Sequence, residues 1–248
     1  MYIYVMEKNQ MSFWNHLEEL RRCILYCFYV FFSGFVVCYF LSDYFLDFLR
    51  NPLFIHLPEN RRHLYYTGLF ENFFVHLQIA GYASLILLSP IYFLILWRFI
   101  APGLYTHERK VVMPFVGASS MFFLMGSAFA YFVLFPIGVK YFLNYGTSAE
   151  VAWLTLDRYV SLVLKILFGF GLCFQLPVFI VLLVKLEILS AERLAQQRRV
   201  AIIIITALSA LVAPPDAVSM LLLMAPLYLL FEGAVFAARL INKKNKNL

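Results

Sequence analysis

The sequence predicts an all-α polytopic membrane protein with six transmembrane helices. Apolar residues make up 63% of the 248 residues and charged residues only 14%, which is too little charge to cover the surface of a soluble domain. The apolar residues gather in six runs, most of them near the roughly 20 residues that a helix needs to cross a bilayer. We therefore expect residues 1–248 to form one transmembrane domain, with no separate soluble domain.

The first four runs have the length of ordinary membrane spans. The first run is preceded by charged residues and has no small-residue cleavage site, so we expect it to stay as a helix and not to be removed as a signal peptide. The second run contains Pro90. The four runs cover about Cys23–Ser42, Phe73–Trp97, Val111–Leu134 and Tyr159–Val184.

The last two runs predict short helices joined by a tight turn. They cover about Val200–Val212 and Val218–Ala237, and Pro214, Pro215 and Asp216 lie between them. Asp is a favoured N-cap residue, so its first expected role is to cap the sixth helix. The fifth run is too short for a full bilayer, which predicts local thinning of the membrane or a water-filled recess on the proline side.

Two long segments between the runs predict a cap over one membrane face. Ser42–Glu71 contains the amphipathic stretch Tyr44–Leu49 and then Pro52, and Phe135–Asp157 is similarly long. The opposite face carries most of the positive charge. If both termini lie on that face, it holds fourteen of the 20 lysines and arginines, the capped face holds five, and Lys165 falls within the fourth run. Lys and Arg concentrate in cytoplasmic loops, so both termini are predicted to be cytoplasmic.

Two clusters on the predicted cytoplasmic face each place a carboxylate beside a histidine. His16 and Glu19 lie in the segment that ends at Arg21 and Arg22, and Glu108 follows His107 in a short loop. Each carboxylate alone is also explained by local structure, Glu19 as part of a solvated first helical turn and Glu108 as part of a local ion pair. Taken together they predict a site for guanidinium groups, which carboxylates bind through paired, charge-assisted hydrogen bonds.

Two polar residues fall inside predicted spans. Gln175 precedes Pro177 in the fourth run, and Glu232 follows Pro226 in the sixth. Polar groups at membrane depth usually face the bundle interior or a functional pathway. Both interpretations stay open for Gln175, whereas Glu232 is a candidate site residue.

The sequence gives little reason to expect an enzyme. Ser33 and Ser219 lack persuasive His and acid partners, and the five histidines show no metal-ligand spacing such as HExxH. The four cysteines lie in or beside apolar runs without a CxxC pair, as small buried hydrophobes do. We therefore expect no metal and no cofactor, and we attribute the net charge of +6 to membrane topology and not to nucleic-acid binding.

A series of short motifs follows nearly the whole chain. The motifs are His16–Arg22, Asn51–Leu53, Ser89–Tyr92 with Trp97–Phe99, Ala101–Tyr105 with Glu108–Arg109, Phe135–Pro136, Phe168–Gly171 with Phe174–Pro177, Pro214–Asp216, and Pro226–Tyr228 with Phe231–Glu232. In their order and spacing across six spans they resemble TatC, the multi-span core subunit of the twin-arginine protein translocase, and this order makes the resemblance specific.

The resemblance implies a fold, a function and partners. The fold that the resemblance implies is a curved, glove-shaped bundle with a concave face in the membrane. Proteins of this family bind signal peptides with consecutive arginines and move folded proteins across the cytoplasmic membrane using the proton-motive force. The implied partners are twin-arginine precursors, the single-span subunits TatA and TatB, membrane lipid, and further copies of the same chain in a receptor complex.

The resemblance also implies roles for individual residues. The implied signal-peptide site comprises Glu19, Glu108, Arg21, Phe99 and His16. The implied concave-face polar residues are Gln175 and Glu232, and the implied structural or partner-contacting residues are Pro52, Pro102, Pro214, Pro215 and Asp216. Met220 departs from the family, in which many members carry Gln, and Met1–Gln10 has no counterpart in the pattern.

The sequence also leaves one alternative function open. A proton-coupled secondary transporter of small solutes would need a polar site near the middle of the membrane. Only Gln175, Glu232 and the short hairpin hint at such a site. Competition between a twin-arginine peptide and a Lys-Lys peptide separates the two functions.

Overall fold

The structure is a computed structural model that describes residues 13–59, 62–100, 112–143, 154–185, 196–212 and 217–245. Helices dominate these ranges. No strand forms within them, and a single isolated bridge pairs Tyr65 with Thr155. The α-helices are α1 (Phe13–Phe40), α2 (Ser42–Phe54), α3 (Glu71–Leu87), α4 (Ser89–Ile100), α5 (Val112–Phe129), α6 (Phe135–Leu143), α7 (Leu156–Cys173), α8 (Leu176–Lys185), α9 (Arg198–Val212) and α10 (Ala217–Asn245).

The helices confirm the all-α class of a polytopic membrane protein. In the described ranges, three helical stretches are long and apolar enough to cross a membrane, namely His16–Phe40, Met113–Leu143 and Leu156–Lys185. The bent pair α3 and α4 makes a fourth if it is one span. The helix α9 has 15 residues, so it is about 22 Å long, shorter than the roughly 30 Å hydrocarbon core.

The second predicted span is broken in the middle. α3 and α4 meet at an angle of 57°. The break falls at Leu88, two residues before Pro90, whose ring disfavours helical geometry at the residue before it and whose nitrogen cannot donate to the helical ladder. α1 crosses the bend closely, since a Cβ atom on Gly34 would lie 2.3 Å from Leu88 Cδ1 and 2.5 Å from Ser84 Oγ.

The third predicted span continues further than its hydrophobic run suggested. We expected it to end at Leu134, with a loop from Phe135 onward, but the chain passes through a π-turn at Ala130–Leu134 directly into α6. In the π-turn the N–H of Phe135 donates to the carbonyl of Ala130, five residues back. Pro136 follows at once and has no N–H for an α-helical bond, so a local change of hydrogen-bond pattern accommodates it.

The fourth predicted span is interrupted at its polar residue. α7 ends at Cys173, and α8 begins one residue before Pro177, with Phe174 and Gln175 between the two helices. α7 forms the centre of the bundle and packs against α3 and α5. Its Val160, Val163 and Phe170 are among the most completely buried large side chains.

In the first of the two segments predicted to form a cap, a helix packs over one end of the bundle. The amphipathic stretch forms α2, which buries Leu46, Leu49 and Leu53 against the bundle. Two tyrosines of the bundle hold its backbone: Tyr131 donates to the carbonyl of Phe48 at 2.7 Å and Tyr159 to that of Leu49 at 2.6 Å. Pro52 lies buried within α2, and its carbonyl is 2.9 Å from Nδ1 of His56.

Glu71, at the start of α3, connects the two segments of the predicted cap to each other. One carboxylate oxygen accepts the N–H groups of Thr67 at 2.6 Å and Gly68 at 3.1 Å, and the other accepts the N–H of Asp157 at 3.2 Å. The N–H of Thr67, followed by those of Asp157 and Gly68, holds the pKa of the Glu71 carboxyl below its ordinary value. The isolated bridge between Tyr65 and Thr155 reinforces this connection.

Candidate functional site

An aromatic stack joins the start of α1 to the end of α4. The rings of His16 and Phe99 lie 4.6 Å apart between centroids and 14° from parallel. The two residues are 83 positions apart in the sequence, and the packing of α1 on α4 brings them together. Two of the five predicted signal-peptide residues therefore form one surface at the same end of the bundle.

Glu19 lies one helical turn after His16 and faces the same side of α1. Its Oε2 atom is 3.7 Å from His16 Nδ1, which is beyond hydrogen-bonding distance. The side chain as a whole is 40% exposed, yet Oε2 itself is buried and has no hydrogen-bond partner among the described residues. One oxygen of the carboxylate is thus turned inward, and a buried acceptor without a donor is costly.

Arg21 does not join this group. It is exposed and lies two positions after Glu19, a spacing that puts side chains on different faces of a helix. Its neighbour Arg22 is paired with Glu18 at 2.7 Å on the outer surface of α1. Both partners of that pair are more than half exposed, so the pair contributes little to stability.

Several predicted site residues lie outside the described part of the chain. They are Glu108, Pro102, Pro214, Pro215 and Asp216. The site around Glu19 is accordingly described from α1 and α4 alone, without the loop that follows Ile100.

Gln175 connects two helices through a short polar network. Its amide Nε2 donates to the backbone carbonyl of Ser119 in α5 at 3.0 Å. The hydroxyl of Ser119 in turn accepts a hydrogen bond of 3.1 Å from the indole nitrogen of Trp97 in α4. The sequence did not single out Ser119, because one serine in an apolar run carries no distinctive pattern. Its role follows from the way α4 and α5 meet the junction between α7 and α8.

Glu232 is paired on both oxygens. Arg198, at the start of α9, lies 3.0 Å from Oε2, and the hydroxyl of Tyr228 donates to Oε1 at 3.0 Å. Arg198 comes from a helix 34 positions earlier, so the pair ties α9 to α10. The contacts of Glu232 and Gln175 are thus with different helices, and the structure gives each of them a structural partner.

Most of the chain is similar to proteins of one family. The family model described as "Sec-independent protein translocase protein (TatC)" matches residues 15–226. A TatC protein of Magnetococcus marinus is 35% identical over 93% of this chain and 84% of its own length. One of Carboxydothermus hydrogenoformans is 35% identical over 96% of this chain and 97% of its own.

A solved structure is similar in fold as well as in sequence. The crystal structure of a twin arginine translocase receptor, TatC, superposes with a TM-score of 0.81 at 31% sequence identity. The similarity covers 91% of this chain and 98% of that chain. The likeness extends over all but a small part of the helical bundle.

Proposed function

The chain belongs to the TatC family, and from that premise we propose that Glu19 accepts an arginine of the paired-arginine signal peptides that this family receives. The protein is a membrane component of the twin-arginine, Sec-independent protein translocase and not an enzyme. Solute transport, the alternative function, is not favoured by its relatives. One observation carries the assignment of the site: the inward oxygen of Glu19 has no donor among the described residues.

The chemistry of the surroundings supports an arginine as the missing donor. A guanidinium group offers five N–H donors in a planar fork and stacks on aromatic faces. The stack of His16 on Phe99 lies next to the carboxylate and provides a flat surface of that kind. Glu108, matched by sequence motif alone, is the proposed acceptor for the second arginine.

We extend the proposal to location and partners. Both termini, and with them Glu19, lie on the cytoplasmic side of the cytoplasmic membrane, as the distribution of Lys and Arg supports. Single-span subunits of the TatA and TatB kind and further copies of this chain are the proposed membrane partners, and the proton-motive force is the proposed energy source. Exposed apolar side chains such as Phe32, Leu229 and Phe236 leave helix faces to lipid or to such partners.

The test compares two neighbouring glutamates. A photoreactive twin-arginine peptide is titrated against the full chain in membranes, with a Lys-Lys peptide as the reference. Glu19→Gln keeps the shape of the side chain but removes its charge, so affinity for the twin-arginine peptide should fall about tenfold or more, since a hydrogen bond to a charged group contributes roughly 1.5–3 kcal/mol. Glu18→Gln is the matched control, because Glu18 already pairs with Arg22 on the outer surface.

The outcome distinguishes a specific arginine-binding site at Glu19 from a general effect of negative charge on this face. A loss confined to Glu19→Gln, with the Lys-Lys peptide unaffected, supports the assignment. An equal loss for Glu18→Gln would show that the two carboxylates act only through the overall potential of the face. Undiminished crosslinking of the twin-arginine peptide to a Glu19→Ala, Glu108→Ala double variant would overturn the site.

A further inference from the structure

A large apolar cleft opens between α5, α8 and α10. Its volume is about 1030 Å³. Aromatic rings such as Phe115, Phe122 and Phe174 form one wall, and the small residues Gly233 and Ala237 form another. Among the described residues that line it, Lys185 alone carries a charge. None of the predicted signal-peptide residues described above lines the cleft.

The cleft exists because α10 presents two different faces. One face packs large side chains, including Leu227 and Phe231, against α8 in a buried cluster. The adjacent face carries Gly233, where an added Cβ atom would meet nothing within 4 Å. α8 and α10 therefore pack tightly against each other, whereas the space between this pair and α5 is open. Because this space is already present in the structure, it can take an apolar occupant without rearrangement of the helices.

The cleft is shorter than a full bilayer. Its lining runs from Phe174, just before α8, to Lys185 at the end of α8, from Pro226 to Ala237 on α10, and from Pro114 to Phe129 on α5. At 1.5 Å per residue the first two stretches rise about 16 Å and the third about 22 Å, which is roughly half to three quarters of the 30 Å hydrocarbon core. A partner helix that crosses the bilayer would extend beyond the cleft, whereas an acyl chain belongs to one leaflet and fits within it.

The charge lies where a lipid headgroup would be. Lys185 is in the last turn of α8 and is exposed. Its ammonium group is 6.0 Å from the ring centroid of Phe115, at the outer limit of a cation–π contact. The ammonium therefore stands at the mouth of the apolar space, and basic groups between transmembrane helices favour anionic lipid headgroups.

We propose that this cleft binds one anionic phospholipid, with an acyl chain between α5 and α10 and the headgroup phosphate on Lys185. Free phosphate would not use the apolar walls. A zwitterionic lipid carries its own cation, which competes with Lys185 for the phosphate. The site thus combines a shape that selects a lipid with a charge that selects an anionic one.

The experiment measures lipid retained by the full chain. The protein is purified in detergent, offered equal amounts of phosphatidylglycerol and phosphatidylcholine with identical acyl chains, and analysed by native mass spectrometry. Gly233→Leu fills the cleft, and Gly117→Leu is its control, since an added Cβ at Gly117 also meets nothing within 4 Å but Gly117 does not line the cleft. Lys185→Gln removes the charge, and Lys140→Gln is its control, because Lys140 is likewise a last-turn lysine.

Wild-type protein should retain phosphatidylglycerol in preference to phosphatidylcholine. Lys185→Gln should lower phosphatidylglycerol retention about fivefold and leave phosphatidylcholine unchanged, and Gly233→Leu should abolish retention of both. The two controls should behave as wild type. Equal retention by Gly233→Leu and Gly117→Leu, or no preference between the lipids, would overturn the proposal. So would a photoreactive residue at position 233 that forms its adducts in cells with a protein and not with lipid.

Discussion

The polar side chains of this bundle differ in how far their hydrogen-bonding capacity is used. Glu232 has a partner on each oxygen, and Gln175 donates to a backbone carbonyl across a helix interface. Oε2 of Glu19 is buried without a donor among the described residues. Because an unpaired buried acceptor is costly, this difference marks Glu19 as the residue of the three that gains most from binding a cation.

Gln175 allows a prediction that separates structure from transport. Gln175→Leu removes the hydrogen bond to the Ser119 carbonyl, an interhelical contact of roughly 0.6–2 kcal/mol in a membrane. It also removes a polar group from an apolar setting, so we expect near-normal insertion and impaired export. Protein level in the membrane and export of a folded twin-arginine reporter are measured together. Unchanged export at unchanged level would contradict a transport role, and loss of the protein would show that the bond only holds the fold.

Glu71 predicts a pH-dependent outer cap. Its carboxyl has a lowered pKa in the folded protein because backbone N–H groups bind the charged form. The resulting stabilisation is complete above the ordinary value of 4.5 and is lost as the pH falls through the lowered folded pKa. The protection factors of the Thr67 and Gly68 N–H groups, which correct for the intrinsic pH dependence of hydrogen exchange, should therefore fall on acidification, and in Glu71→Gln they should be low at all pH values.

The matched control for the cap is another glutamate of the same outer segment. Glu59 is exposed, and its Oε1 atom is 4.0 Å from Nη1 of Arg62, which makes at most a weak ion pair. Glu59→Gln should leave the exchange of Thr67 and Gly68 as it is in the wild type. If both variants accelerate exchange alike, the charge of the segment and not the three N–H contacts of Glu71 holds the cap.

Two glycines set the distance between α5 and α7 at the level of helices. A Cβ atom on Gly126 would lie 2.6 Å from the carbonyl oxygen of Phe170, and one on Gly171 would lie 2.8 Å from Ser127 Oγ. The two backbones therefore approach more closely than any other residue type would allow. The aromatic rings of Phe123, Phe170 and Phe174 fill the space on either side of this crossing.

Gly126→Ala should accordingly loosen the bundle. The new methyl group meets backbone and not the end of a flexible side chain, so the helices must separate, at a cost of about 1–3 kcal/mol. Thermal unfolding in detergent is the measurement. Gly117→Ala in the same helix has open space and a better helix propensity, so it should be neutral or slightly stabilising. Equal unfolding temperatures for the two variants would show that the crossing tolerates the methyl group.

For the molecule as a whole, the sequence predicted the helices better than their interruptions. Length and hydrophobicity suffice for the runs, because a bilayer requires about 20 apolar residues for each span. Pro90 lay inside a predicted span, but a proline in a hydrophobic run does not by itself give the 57° bend or the close approach of α1 at Gly34. The π-turn at Ala130–Leu134 has no distinctive residue pattern of its own, and the Pro136 that follows it does not by itself specify such a turn.

The contacts within the candidate site were less predictable from the sequence than the helices were. His16 and Glu19 lie in one motif, but the stack of His16 on Phe99 joins residues 83 positions apart and follows only from helix packing. The pairing of Glu232 with Arg198 was not predicted for the same reason. Arg21 shares the motif of Glu19 and yet points to a different face, which the helical spacing explains once the helix is known to begin at Phe13.

The short α9 leads to a prediction about membrane depth. With 15 residues it covers about 22 Å of a hydrocarbon core of roughly 30 Å, so the bilayer should thin beside it and shield its outer end. Ala210, exposed near that end, should react slowly as Ala210→Cys with an impermeant thiol reagent added outside. Glu59→Cys, in the outer segment, should react fully and at once. Equal rates at the two positions would contradict thinning.

The π-turn between α5 and α6 also affects where the sequence can lose a residue without disturbing the packing of the helices. A π-turn holds one residue more per turn than an α-helix, so Ala130–Leu134 contains a single residue that a regular helix would omit. The helix on either side is anchored separately, by Phe129 against Phe170 and by Phe135 against Tyr159. A one-residue deletion at the exposed Phe132 would remove that extra residue and keep both anchors in phase, although Pro136 would still interrupt the helical hydrogen-bond ladder. Elsewhere along α5 or α7 the same deletion would rotate every following side chain by about 100°, so the loss of a residue is better tolerated at this turn than in the regular parts of these two helices.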